Sequence, residues 1–200
     1  PDVECIEEMP SLVESIFNLL NQKKIQAYHD RSDGGLITTL VEMSFASRLG
    51  LNLNLNSLLK DKTGLVDLLF NEELGIVIQV LSRDLSDVLE AMNKTGLKEH
   101  TYSIGTISER KKIDIGYKDE TLISLDLKDL LESWHKVGFE IQSLRDNPDT
   151  AKEEYLNDTK LANPGLTPNI NFSIPKKIDL RSTKPRIAIL REQGVNGQNE

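Results

Sequence analysis

Two hundred residues with 38% hydrophobic and 28% charged side chains suit a soluble globular domain of ordinary size plus a remainder. A net charge of -8, from 24 basic against 32 acidic residues, argues against a nucleic-acid binder, which needs a basic face. The single cysteine, Cys5, excludes an internal disulfide and favours a reducing, cytoplasmic setting, and no stretch approaches the ~20 apolar residues of a membrane span.

The N-terminal run PDVECIEEMP is acidic and lacks the basic-then-apolar layout of a signal peptide. It begins without Met, and the chain stops abruptly at QNE, so a piece of a longer protein is expected. From Pro10 to Leu20, apolar residues at Leu12, Val13, Ile16, Phe17, Leu19 and Leu20 predict a helix with proline in its first turn. Ile25 to His29 reads as a short strand, broken by Asp30-Arg31-Ser32-Asp33-Gly34-Gly35. A helical stripe resumes through Leu36, Leu40, Phe45 and Leu49, with Gly50 placed as its C′ glycine. The alternation Leu51 to Asn56 predicts a half-buried strand with leucines inward. Leu65 to Phe70 reads as a short helix and Gly75 to Val80 as a buried strand. Asp84 to Met92 reads as a helix capped by Ser82 and ending near Gly96. Ser103 to Ile107 and Ile113 to Tyr117 read as strands, and Leu127 to Val137 as a helix carrying Trp134. Helices alternating with strands predict α/β or α+β layers.

The composition shifts near Arg145, where DNPDTAKEEY is polar and Asn147-Pro148 disfavours helix. With prolines at 164, 168, 175 and 185, residues 150–184 read as an irregular linker. Arg186 to Leu190 then reads as a buried-strand run before Gly194, Asn196 and Gly197, the way a parallel α/β domain begins. The expected division is therefore 1–149, 150–184 and 185–200.

The strongest chemical candidate is His29 to Gly35, between a strand and a helix N-terminus. Free N–H groups and the helix dipole favour a phosphate there, and paired glycines let a ligand approach the backbone. Asp30 offers a hard oxygen to Mg²⁺, and Ser32 can donate to a nucleotide from the same cleft. The simpler reading is a tight turn, with Ser32 or Asp33 capping the helix. Other candidates are weaker. His100 and His135 lack a second ligand at metal spacing, and Cys5 has no nearby base. Glu72-Glu73 reads as a solvated turn, with a cleft as the alternative. Trp134 and Phe139 read as packing residues.

Two stretches carry a resemblance. AYHDRSDGGLITTLVEMSFASRLG (Ala27 to Gly50) closely resembles the second synthase half of the large, single-chain phosphoribosylformylglycinamidine synthases. KPRIAILREQGVNGQNE (Lys184 to Glu200) resembles the start of their glutamine amidotransferase domain, and SWHKVGFEIQSLRDNP (Ser133 to Pro148) between them is also similar. The resemblance implies the C-terminal α/β subdomain of an aminoimidazole-ribonucleotide-synthase-like half over residues 1–149. From residue 185 it implies the first strand of a flavodoxin-like class I amidotransferase domain. It implies an ATP-dependent amidoligase of purine biosynthesis that turns formylglycinamide ribonucleotide, ATP and glutamine into formylglycinamidine ribonucleotide, ADP, phosphate and glutamate. By motif match Asp30 would ligate Mg²⁺ and Ser32 would contact ATP or ADP, with no catalytic residue in these 200 residues. The amidotransferase nucleophile and the partner ATP-binding subdomain would lie elsewhere in the chain, so this piece alone is expected to be inactive. Competing readings are another ATP enzyme of the same superfamily, against which LREQGVN argues, and a non-catalytic module that a bound nucleotide stabilises.

Overall fold

The structure, a computed structural model, describes residues 6–173 and Ala188. Helix α1 (Met9–Asn21) starts at the expected proline and buries Ser15, Ile16 and Leu19. A tight turn through Lys23 (φ 57°) leads into β1 (Ile25–Asp30). Helix α2 (Gly35–Ser47) follows and buries much of its surface, including Leu36, Ile37, Leu40 and Val41. It ends two residues before the Leu49 at which the stripe ended. Arg48, at φ 55°, takes the left-handed position expected of Gly50. Gly50 instead opens β2 (Gly50–Asn54), where a Cβ would lie 2.0 Å from the Arg110 carbonyl oxygen and 2.1 Å from that of Lys112. The glycine is there for close strand approach, not for a helix cap.

Helix α3 (Leu65–Phe70) has the bounds the sequence suggests, and β3 (Ile76–Val80) follows. Helix α4 (Leu85–Lys94) is preceded by a 3-10 turn at Ser82–Asp84, so Ser82 is not its cap. Strands β4 (Gly105–Ser108), β5 (Lys112–Tyr117) and β6 (Glu120–Asp126) come next. The sequence reading missed β6. It joins β5 through Lys118 and Asp119, both at positive φ, without the glycine that usually marks such a two-residue hairpin. Helix α5 (Leu127–Arg145) is capped by the Asp126 carboxylate on the Lys128 N–H and runs on through Gly138, well beyond Val137.

The main correction concerns residues 148–158. They form α6 (Pro148–Asp158), not irregular linker. Asn147-Pro148 does end α5, but it also begins a helix. The Asn147 side chain accepts from the N–H groups of Asp149 and Thr150, and proline takes the first turn. Tyr155 stacks on Phe139 with ring centroids 4.7 Å apart, and Ala151 is buried. The chain divides into two units at Asn163/Pro164. In the second, residues 164–173 form neither helix nor strand. The expected amidotransferase start at 185–200 lies outside the described residues, as does Cys5.

Within the first unit there are two sheets. β1 and β3 form an antiparallel ribbon, and β4-β2-β5-β6 form a mixed sheet whose β2–β5 pair is parallel. The layers are thus α/β in the broad sense and α+β in detail. The larger core joins Leu36, Ile37, Leu40 and Val41 of α2 to Leu53, Leu55, Ile113 and Ile115 of the sheet. The smaller core sets Ile16 and Leu19 of α1 and Val88 and Met92 of α4 against Ile25, Ile76, Ile78 and Val80. Val77 points to the larger core. A two-stranded ribbon with cores on both faces explains why β3, expected to be buried, is half-buried throughout.

Candidate functional site

The end of β1 and the start of α2 meet at Asp30 to Gly35. Along β1, exposure alternates, so Tyr28 and Asp30 share the outer face while His29 turns inward. The chain then turns tightly, with the Gly35 N–H donating to the Ser32 carbonyl at 2.9 Å. Gly34 and Gly35 have φ of 80° and 72°, as paired glycines in this motif suggest. A Cβ on Gly35 would lie 2.6 Å from the Phe70 carbonyl carbon and 2.8 Å from the Leu69 and Asn71 carbonyl oxygens. The turn therefore packs directly on the end of α3. Asp30 and Ser32 are both exposed on this rim.

Neither Ser32 nor Asp33 caps α2. The Gly34 N–H instead donates to Glu72 Oε1 at 2.9 Å, so a carboxylate from the loop before β3 occupies the positive end of the helix. Glu72 is the residue that sequence reasoning missed in this role. The alternative of carboxylates facing a site was open, but no spacing rule links positions 34 and 72. Arg31 is the second omission. Its Nε and Nη2 donate to the carbonyls of Glu73 (2.5 Å) and Leu74 (3.0 Å), and its own N–H donates to Gly75 (2.8 Å). Burial lowers the guanidinium from its ordinary value, and the Glu73 charge opposes that shift. Gly75 leaves room for this clamp, since a Cβ there would meet the guanidinium at 3.3 Å.

Asp30 itself accepts from the Tyr28 hydroxyl through Oδ1. Burial, then the hydrogen bond and charge of Asp30, push the Tyr28 phenol up to about 12. A carboxylate accepts several bonds, so Asp30 keeps capacity for a hard cation. Among the described residues no three His, Cys, Asp or Glu side chains gather as a metal cage.

The other candidates fall elsewhere. His100 Nε2 lies 3.4 Å from Glu8 Oε2, an exposed pair. His135, Phe139, Arg145 and Tyr155 line a groove of about 510 Å³ between α5 and α6. Trp134 is about half exposed, at 53%, and tilts against Phe45 with centroids 5.9 Å apart. It is a surface packing residue rather than a core one. No helix among the described residues is long and apolar enough to cross a membrane.

Helices packed against a mixed sheet make this an α/β domain in the broad sense, with a paired-glycine turn between β1 and α2. The family model described as "AIR synthase related protein, C-terminal domain" matches residues 3–118, and the chain belongs to that family. The phosphoribosylformylglycinamidine synthase of Saccharomyces cerevisiae is 39% identical over 202 residues, covering 96% of this chain and 15% of that protein. That of Schizosaccharomyces pombe is 38% identical over 205 residues, covering 100% of this chain and 15% of that protein. The chain thus spans about 15% of the length of these relatives. T. maritima PurL complexed with FGAR shares the fold, at TM-score 0.52 and 16% identity over 60% of this chain and 20% of that one. The same protein complexed with ATP aligns at TM-score 0.52 and 15% identity over 59% of this chain and 20% of that one.

Proposed function

We infer that this chain is the part of a phosphoribosylformylglycinamidine synthase that supplies one nucleotide turn of the synthase region, in a cytoplasmic enzyme. The carrying observation is the 38–39% identity to enzymes of that name, sustained along the whole chain. The complete protein would use ATP to activate the formylglycinamide oxygen of its ribonucleotide substrate and would replace that oxygen with ammonia from glutamine. Purine biosynthesis is the setting those names support.

In this reading the chain binds and orients a nucleotide rather than performing bond chemistry. Asp30 would hold Mg²⁺ by its carboxylate, and the cation would offset phosphate charge when bound. Ser32, exposed at the first corner of the turn, donates to the nucleotide. The left-handed Gly34-Gly35 backbone keeps side chains out of the approach to α2. Residues 185–200 begin the glutamine amidotransferase domain, whose nucleophile lies further along the chain.

The test uses the full-length enzyme. Asp30→Asn should weaken Mg²⁺·ADP binding by calorimetry about 10-fold or more, with the melting temperature unchanged. Ser32→Ala should weaken ADP with and without Mg²⁺. Unchanged affinity in the Asp30 variant overturns the site assignment.

A further inference from the structure

Asp30 is held by more than its place in β1. Its carbonyl oxygen lies 2.6 Å from His29 Nδ1 and accepts from Thr39 Oγ1 of α2 at 3.2 Å. The other imidazole nitrogen, Nε2, lies 2.7 Å from Glu42 Oε2, one further turn along α2. The Glu42 carboxylate only accepts, so the ring donates to it through Nε2. The His29 and Glu42 side chains are only 30% and 26% exposed, so solvent competes less for this contact than for a surface pair. On the opposite face of β1, the Tyr28 hydroxyl donates to the Asp30 carboxylate. The aspartate is thus fixed at its backbone from the α2 side and at its side chain from the outer side.

We propose that His29 and Glu42 are a positioning pair for the metal–nucleotide site. They lock the last residue of β1 onto α2, so that the Asp30 carboxylate is presented at a fixed place beside the Ser32–Gly35 turn. The inference rests on the reading of Asp30 as a cation ligand and adds two residues that touch neither metal nor nucleotide. A plain strand-to-helix tie would need only stability. A positioning pair should act on the cation-dependent part of binding and leave the rest alone.

The experiment measures ADP binding by calorimetry to the full-length enzyme, once with excess Mg²⁺ and once with the metal chelated. Glu42→Ala should weaken Mg²⁺·ADP about 10-fold, as loss of a partner behind a metal ligand does, and leave metal-free ADP binding unchanged. Glu42→Gln keeps an oxygen that accepts from Nε2 and should recover most of the loss. If Glu42→Ala melts below the assay temperature, Glu42→Asp replaces it. That variant keeps the charge, shortens the reach by one methylene, and should show a smaller Mg²⁺-dependent loss. Equal losses with and without the metal, or no loss with it, overturn the proposal. Asp30→Asn is measured in parallel. If it leaves Mg²⁺·ADP binding unchanged, the reading of the site itself fails. If it weakens binding while the Glu42 variants do not, only the positioning role falls.

Discussion

Gly35 and Gly96 show how differently two left-handed glycines constrain a chain. Both lie at positive φ, 72° and 84°, where an L side chain costs about 1–2 kcal/mol. At Gly96 nothing stands within 4 Å of where a methyl would sit, so Gly96→Ala should cost only that amount. At Gly35 the methyl meets backbone of α3, which cannot swing aside, so overpacking adds about 1–3 kcal/mol. Urea unfolding of the two variants should rank them in that order, and equal losses would contradict the geometry. Tyr28 gives a pH dependence of definite sign. Its phenol titrates near 12 in the folded chain against an ordinary value of 10, so folding favours the protonated form. The stability it contributes is present below about pH 10 and is lost as pH rises toward 12. Absorbance at 295 nm should show one phenolate step near pH 12 that Tyr28→Phe removes. At this scale the turn after β1 and its two left-handed glycines were legible in the sequence, because a strand-breaking motif before a helical stripe is a local signal. Glu72 and Glu42 were not legible as partners, because their roles depend on which loop and which helix face come to lie beside the turn.

Elements with strong periodicity could be read directly. The alternation in β2 turns Leu51 and Leu53 inward and its asparagines outward, whereas the stripe of α1 buries Ile16 and Leu19 but leaves Val13, Phe17 and Leu20 exposed, and α3 buries only Leu69 fully. Where the signal was compositional, the reading was misled. Residues 148–158 are polar because α6 exposes most of its surface, burying only Ala151 fully and laying Tyr155 on Phe139. Polarity alone cannot separate a solvated helix from a linker, whereas the Asn-Pro pair at its start could have. The Asn147 carboxamide oxygen accepts from two otherwise unpaired N–H groups, at 3.0 and 3.2 Å. Asn147→Ala should therefore cost about 1 kcal/mol. Amide exchange at Asp149 and Thr150 should quicken, while exchange within β2 and β5 should stay slow. Protection unchanged at both positions would mean that α6 is held by packing alone.

At the scale of the molecule, the boundary of the first unit is the point at issue. The composition placed it at 149, and the packing places it at Asn163. The difference is α6 and the turn after it. This segment contributes the Tyr155 ring on Phe139, the buried Thr159, and the Asp158 carbonyl that accepts from Arg48 Nη2 at 3.0 Å. Removing it leaves the Arg48 side chain, which closes α2, without that acceptor, and strips one face from Phe139. Water can reach the guanidinium once the segment is gone, so the lost hydrogen bond costs about 0.5–1.5 kcal/mol, and the lost aromatic contact adds roughly 0.5–1.5 kcal/mol. A chain cut after Asn163 should therefore keep a single cooperative melt. A chain cut after Asn147 should melt several degrees lower and lose helical ellipticity beyond the residues removed, as the second half of α5 frays. The physical reason is that α5 fully buries only Leu127 and Leu131, both in its first half, so its second half leans on its partner helix through Phe139 and Tyr155. Matching melting temperatures for the two chains would return the boundary to 149 and reduce α6 to a helix that merely rests on the surface.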